Sequence, residues 1–409
     1  MLWFVCLLNY ADRQVVSSVF PILERDLHFT KSQLGTIGSA FMLVYAFGAP
    51  LAGYIADKFR RKDLILGGCL FWSGVTVFTG RCSTLIQFVT VRALEGLGET
   101  FYFPASMSLI SDYHGASTRS RALSFHQSGV YAGTILGSWV GAVIAEKYNW
   151  RYGFYLFGML GIVVSMALYK VLREPVRGES EPQGKFVPST RRESSSAQVQ
   201  ARFAFLLNPT VVLLMAAFVC ANSIATVFLV WTPTFLVEKF HFKLSAAGLS
   251  GQVYIQAASA IAVPLAGILA DKLAMHMRVG RIAVQASGLL AGAVFVTIVG
   301  SATGVLTLLA AMTAFGFCKG FYDSGIFASL YDCVGPSARG SAAGLMNTAG
   351  WGGGALGPVL VGWISQHGRG GSQMANMSAA ISFGGFIYVL GAVLLVLAGI
   401  THTIRLDRG

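Results

Sequence analysis

Twelve apolar blocks, each long enough to cross a bilayer, follow one another along this 409-residue chain. A hydrocarbon core ~30 Å thick needs about 20 helical residues. Blocks 1–22, 33–56, 63–81, 84–111, 121–145, 151–172, 209–237, 245–270, 281–300, 303–331, 339–365 and 376–402 each supply that length. Their apolar residues run continuously instead of alternating in short segments, which excludes a β-barrel. Charged residues make up 12% of the chain, against about 25% in a soluble domain. The expected fold is an all-α membrane protein with twelve transmembrane helices in two pseudo-symmetric six-helix bundles.

The connections are short, with one exception. Residues 173–208 hold Glu174, Pro175, Arg177, Lys185, Arg191, Arg192 and the run Ser194-Ser195-Ser196, a composition suited to a solvated linker. The expected division is a first bundle over 1–172, a cytoplasmic linker over 173–208 and a second bundle over 209–409. The net charge of +12 sits in the loops, where it orients a membrane protein, so no nucleic-acid partner is expected. With both termini cytoplasmic, that side receives Lys58, Arg60, Arg61, Lys62, Arg119, Arg121, the linker cluster, Lys272, Arg278, Arg281, Arg339, Arg405 and Arg408. The opposite side receives the thinner set Arg25, Lys31, Arg81, Lys147, Arg151, Lys239, Lys243 and Arg369. Short loops point to a bacterial inner membrane, and a monomer is the expectation. The first block opens at Met1 and carries charge, so it reads as a retained helix rather than a cleaved signal. Its tail is so short that further residues upstream are expected. The six cysteines lie in or beside apolar blocks without metal or disulfide spacing, so packing is their expected role.

The two halves are copies. Phe101-Tyr102, Asp112, Gly115-x-Ser117-x-Arg119, Gly133 and Gly137 recur as Phe321-Tyr322, Asp332, Gly335-x-Ser337-x-Arg339, Gly353 and Gly357, every pair offset by 220. Gly53-x-x-x-Asp57-Lys58 recurs as Gly267-x-x-x-Asp271-Lys272, offset by 214. A duplicated six-helix unit marks a transporter with pseudo-symmetric halves. Gly129, Gly133, Gly137 and Gly141 give one helix a flat face for packing, and Gly350–Gly354 with Gly357-Pro358 do the same in the second half.

Charge inside the spans carries the functional reading. Asp12 and Arg13 lie in the first block, and Arg92, Glu95 and Glu99 in the fourth. A charged side chain at a helix centre costs roughly 2.5–3.5 kcal/mol, so these residues must face an aqueous cavity or one another. Arg92 and Glu99 are seven residues apart, two turns along one face and about 10 Å in rise. Glu95 lies between them and can pair with Arg92. A fixed guanidinium can hold a carboxylate or phosphate, while burial favours the neutral form of a carboxyl group. Together they link anion binding to protonation. Glu99 is expected to be the main proton carrier and Asp12 the second; Arg13 would bind the anion and Arg92 support Glu99. Lys319 stands at the repeat-equivalent position of Glu99, with Asp323 one turn later. A contribution to the cavity and a self-contained pair with Asp323 both remain open. Tyr102, His126, Gln127, Tyr131 and Asn347 are further candidates for substrate contact, and Asn222, Thr226, Tyr254, Gln256 and Trp351 weaker ones, since polar residues in bundles are often interhelical glue.

The string Gly53-Tyr-Ile-Ala-Asp57-Lys58-Phe-Arg60-Arg61-Lys62 resembles the signature loop of the major facilitator superfamily, Gly-x-x-x-Asp-Arg/Lys-x-Gly-Arg-Arg/Lys, departing from it at Arg60. Arg92-Ala-Leu-Glu95-Gly96-Leu-Gly98-Glu99 resembles that family's fourth-helix motif. Asn9-Tyr10-Ala11-Asp12-Arg13, Phe71-Trp72-Ser73 and Phe103-Pro104-Ala105 look like its spinster and anion:cation symporter branches. The resemblance covers most of the N-terminal half and is generic beyond it. It implies a major facilitator fold, a cavity lined by Asp12, Arg13 and Glu99, proton-driven members in both branches, and cytoplasmic gating by Asp57, Lys58, Arg61, Arg119, Asp271, Lys272 and Arg339.

The expected function is therefore proton-coupled transport of a small organic anion by alternating access. The alternative is a spinster-like carrier of lysophospholipid or a related amphiphile, because a phosphate headgroup would suit Arg13 equally. A non-transporting sensor would be expected to lose the coupling acids or gain a signalling domain. An enzyme is disfavoured because the sequence holds no nucleophile–His–acid set, metal-ligand cluster or phosphate loop. No cofactor is expected; substrate, protons and lipid are the partners.

Overall fold

The computed structural model describes residues 1–115, 118–176, 204–335 and 339–408; for Gly53, Tyr54, Ala56, Asp57, Ser120, Ala204, Arg339, Gly340 and residues 405–408 it describes the backbone alone. Most of the linker, including Arg177, Lys185, Arg191 and Arg192, lies outside the described residues.

The first half holds α1 (Leu2–Ser18), α2 (Phe20–Leu27), α3 (Lys31–Lys58), α4 (Arg61–Thr79), α5 (Leu85–Thr100), α6 (Tyr102–Tyr113), α7 (Arg119–Lys147) and α8 (Trp150–Val171). The second holds α9 (Pro209–Phe240), α10 (Leu244–His276), α11 (Gly280–Ser301), α12 (Val305–Asp323), α13 (Ile326–Cys333), α14 (Arg339–His367) and α15 (Gln373–Arg408). Among the described residues, eight helices are long and apolar enough to cross a membrane. The other four anticipated spans fall short for physical reasons. α1 and α5 have 17 and 16 residues and carry buried charge. α4 opens on Arg61, Lys62 and Asp63, and α14 is rich in glycine.

Three expected spans are interrupted. The first breaks at Val19 between α1 and α2, the fourth at Phe101 between α5 and α6, and the tenth at Ser324-Gly325 between α12 and α13. Pro21 and Pro104 fall in the first turn of the restarted helices α2 and α6. Their missing N–H groups lie there among the donors that have no intrahelical acceptor anyway.

The packing repeats between halves. α1 against α7 corresponds to α9 against α14, α3 against α5 to α10 against α12, and α4 against α8 to α11 against α15. The glycine face of α7 lets α1 come very close: a Cβ at Gly133 or Gly137 would strike the Leu7 or Ala11 carbonyl oxygen. In the second half, the Ser223 hydroxyl donates to the Gly353 carbonyl at 3.0 Å and the Thr226 hydroxyl to the Gly354 carbonyl at 2.6 Å. Gly137→Leu is expected to cost about 1–3 kcal/mol or more by overpacking. A lower melting midpoint in fluorescence-detected gel filtration checks this, with Gly67→Leu as control because open space surrounds Gly67.

The two most extensive crossings between the halves are α3 on α14 and α7 on α10, with α1 also touching α9. The closest cross-half contacts include Gly35 against Pro358, Ser39 on the Ala355 carbonyl, and Gly248 against Ser138 and Ala142. All lie toward the end of the bundle remote from the linker.

Candidate functional site

Between the halves lies a cavity of about 950 Å³. Its first-half wall includes Tyr10, Arg13 and Gln14 of α1, Phe41 of α3, Arg92 of α5, Phe103 of α6, and Gln127 and Tyr131 of α7. The second half contributes Phe218 and Phe228 of α9, Phe315, Lys319 and Asp323 of α12, Phe327 and Tyr331 of α13, and Asn347 and Trp351 of α14.

Arg13 is the centre of the first wall. Its guanidinium pairs with the Glu99 carboxylate and donates through Nη2 to Asn9 Oδ1 at 3.0 Å. The rings of Tyr10, Phe41, Tyr45 and Trp351 lie 4.4, 4.7, 5.0 and 5.8 Å from its central carbon. An arginine held this way keeps a fixed charge in a low-dielectric enclosure. Its Nη1 has no hydrogen-bond partner among the described residues, which leaves a donor for an anion in the cavity. Arg92 pairs with Glu95, and the other Glu95 oxygen accepts from the Thr76 hydroxyl at 2.8 Å. The helical spacing thus pairs Arg92 with Glu95, while Glu99 takes its cation from α1. Asp12 is 1% exposed, and both its carboxyl oxygens lack a hydrogen-bond partner among the described residues. Three carboxyl groups and two guanidinium groups are therefore buried together in the first half, with Arg13 and Arg92 reaching the cavity and the acids set behind them.

Lys319 pairs with Asp323, and both line the cavity. Gln127, Tyr131 and Asn347 also line it. Tyr102 and His126 sit elsewhere. The Tyr102 hydroxyl contacts His126 Nε2 at 2.8 Å and donates to the Leu2 carbonyl at 3.0 Å. His126 lines a separate groove with Trp3, Arg121 and Phe125. Of the rings around Arg13, Trp351 stood among the weaker sequence candidates and Tyr10 in the first-helix motif, while Phe41 and Tyr45 escaped the sequence reading. Asn9, Tyr10 and Gln14 flank it within a turn, but Phe41 and Tyr45 come from another helix and leave no local signal.

Toward the linker, each half carries an arginine between acids. Arg61 pairs with Asp112 and with Glu174 at 2.9 Å, and donates to the Pro175 carbonyl at 3.1 Å. Arg281, offset from Arg61 by 220, pairs with Asp332 at 2.8 Å and Asp271 at 3.0 Å. Arg119 donates to the His114 carbonyl at 3.2 Å. Lys58 and Lys272 are exposed, and the side chains of Asp57 and Arg339 lie outside the described residues. Arg61 is 1% exposed and Arg281 31%. Removing a buried charge partner costs about 3–5 kcal/mol, an exposed one about 0.2–1 kcal/mol. Arg61→Ala is therefore expected to lower the melting midpoint far more than Arg281→Ala.

Comparison with known proteins agrees with this architecture. Spinster homolog 1 of Xenopus tropicalis is 31% identical over 241 residues, covering 58% of this chain and 45% of that protein. The chain thus spans under half the length of that relative. The chloroplastic ascorbate transporter of Arabidopsis thaliana is 27% identical over 381 residues, covering 90% of this chain and 70% of that one. The probable galactarate/D-glucarate transporter GudP of Bacillus subtilis is 25% identical, covering 96% and 88%. A bacterial homolog of the human lysosomal transporter Spinster, in an inward-facing and unoccupied conformation, superposes with a TM-score of 0.76 at 22% identity, covering 98% of this chain and 95% of that one. These relatives are membrane transporters and not enzymes. The family model described as Major Facilitator Superfamily matches residues 2–278. With duplicated helical halves closing around one cavity, the chain belongs to the Major Facilitator Superfamily.

Proposed function

We propose that this protein moves a small organic anion together with protons, by alternating exposure of the central cavity. The observation that carries this reading is Arg13: it lines the cavity, and its guanidinium is already engaged by Glu99. A substrate carboxylate and the Glu99 carboxylate compete for the same cation. A proton on Glu99 removes the competitor, so anion and proton bind together. Asp12, set in the same buried group, is the second proton site. The body moving against 209–409 is 1–172, joined through 173–208. Both termini lie on the cytoplasmic side of a bacterial inner membrane, as the basic loops suggest, and the unit is a monomer. Lys58, Arg61, Arg119 and Lys272 belong to the gate on the linker side, with Asp57, Asp271 and Arg339.

The names of the ascorbate and galactarate/D-glucarate transporters among the relatives favour a carboxylate or comparable organic anion. A second reading draws on the Phe218, Phe228, Phe315 and Phe327 side of the cavity, which suits an acyl chain, with a lysophospholipid phosphate on Arg13. Uptake into proteoliposomes under an imposed pH gradient tests both. Accumulation of small carboxylates that requires the gradient supports the first. Uptake of lysolipid alone would replace it with the second, and uptake of either without dependence on the gradient would remove the proton coupling.

A further inference from the structure

Two helix starts at the end remote from the linker are each capped by a side chain from the opposite half. The Ser245 amide, at the second residue of α10, donates to Glu146 Oε2 at 2.6 Å. The Ser32 amide, at the second residue of α3, donates to Gln366 Oε1 at 3.3 Å. The two arms are related by the duplication. His28-Phe-Thr-Lys-Ser32-Gln-Leu-Gly35 matches His241-Phe-Lys-Leu-Ser245-Ala-Ala-Gly248 at an offset of 213, and Glu146 matches Gln366 at 220. His28 and His241 both take left-handed backbone, with φ of 56° and 55°, so the chain turns alike into each helix. Gly35 and Gly248, one turn further on, bring each helix start down onto the partner helix, against Pro358 and against Ser138 and Ala142.

The arms differ in chemistry in a balanced way. α3 has its own capping box from Thr30 and Gln33 and receives only a neutral amide from Gln366. α10 follows Lys243, which offers no side-chain cap, and receives a carboxylate. A negative group at a helix N-terminus also meets the positive end of the helix dipole. The α3 arm gains its charge from buried Lys31, which pairs with Glu238 of the other half and with Glu24. Leu244 holds the corresponding position in α10. Each arm therefore has one charged contact across the interface.

We propose that Glu146 and Gln366 form a reciprocal clamp, each capping the other half's helix, and that the clamp controls how often this end of the transporter opens. Capping in trans differs from ordinary capping because the bond must break when the halves part. The two caps then act on one equilibrium, and weakening either arm loosens both.

Hydrogen–deuterium exchange of the purified full chain in nanodiscs tests this without any substrate. Loss of one cap is expected to speed exchange roughly fivefold in Glu146→Ala, at residues 244–248 and by a similar factor at 31–35. Gln366→Ala should do the same from the other side. Glu146→Gln, which still accepts a hydrogen bond, should stay much nearer the parent. Gln366→Glu, which gives Ser32 the carboxylate that Ser245 already has, should slow exchange in both arms. Acceleration confined to the substituted arm, or an effect of Glu146→Gln equal to that of Glu146→Ala, overturns the clamp.

Discussion

A Glu99→Gln protein is expected to exchange substrate across a membrane but not to concentrate it. Glutamine matches glutamate in shape and cannot take up the proton that couples the two fluxes. It also leaves Arg13 without a competing carboxylate, so the anion site stays open at every pH. In the parent protein, acidification should strengthen apparent substrate affinity, because a protonated Glu99 releases Arg13. The variant should show a flat pH profile instead. Counterflow and gradient-driven uptake in the same vesicles separate the two activities. Uphill accumulation equal to the parent's would remove Glu99 from the coupling role.

Arg13→Ala should have the largest effect on binding and an independent effect on stability. Loss of a charged hydrogen-bond donor costs about 1.5–3 kcal/mol, which corresponds to roughly 10- to 150-fold weaker binding. The same change strands Glu99 without a cation in the interior, where breaking a buried pair costs about 3–5 kcal/mol. The double variant Arg13→Ala with Glu99→Gln distinguishes the two consequences. Its melting midpoint should recover toward the parent's, while substrate binding stays lost. Equal binding by Arg13→Ala and the parent, measured by calorimetry with a transported anion, would rule out Arg13 as the anion site.

Much of this arrangement was legible in the residues alone. Long apolar blocks and the 220-residue offset require a duplicated bundle, and charge in the first and fourth blocks requires a sheltered polar centre. Pairing along one helix followed from spacing, as with Arg92 and Glu95 or Lys319 and Asp323. Pairing between helices did not. That Glu99 reaches Arg13 depends on how α1 sits relative to α5, which the glycine face of α7 does not register. The breaks near Val19 and Phe101 had signals in Pro21 and Pro104. Yet Pro50, Pro233, Pro264 and Pro358 all lie within unbroken helices, so proline alone could not announce them. Tyr102 shows the limit at single-residue scale. Its neighbour Phe103 lines the cavity while Tyr102 turns toward Leu2 and His126, a difference of about 100° around one helix.

The duplication has left the two cavity walls unequal: buried acids crowd around paired arginines on one, whereas the other offers rings, amides and the Lys319–Asp323 pair. On the proposed mechanism, the two copies of the repeated unit have divided the labour, one keeping the energy-converting chemistry and the other free to vary its shape. Engineering new cargo should therefore begin among the phenylalanines of α9, α12 and α13, leaving the ionic machinery of α1 and α5 alone.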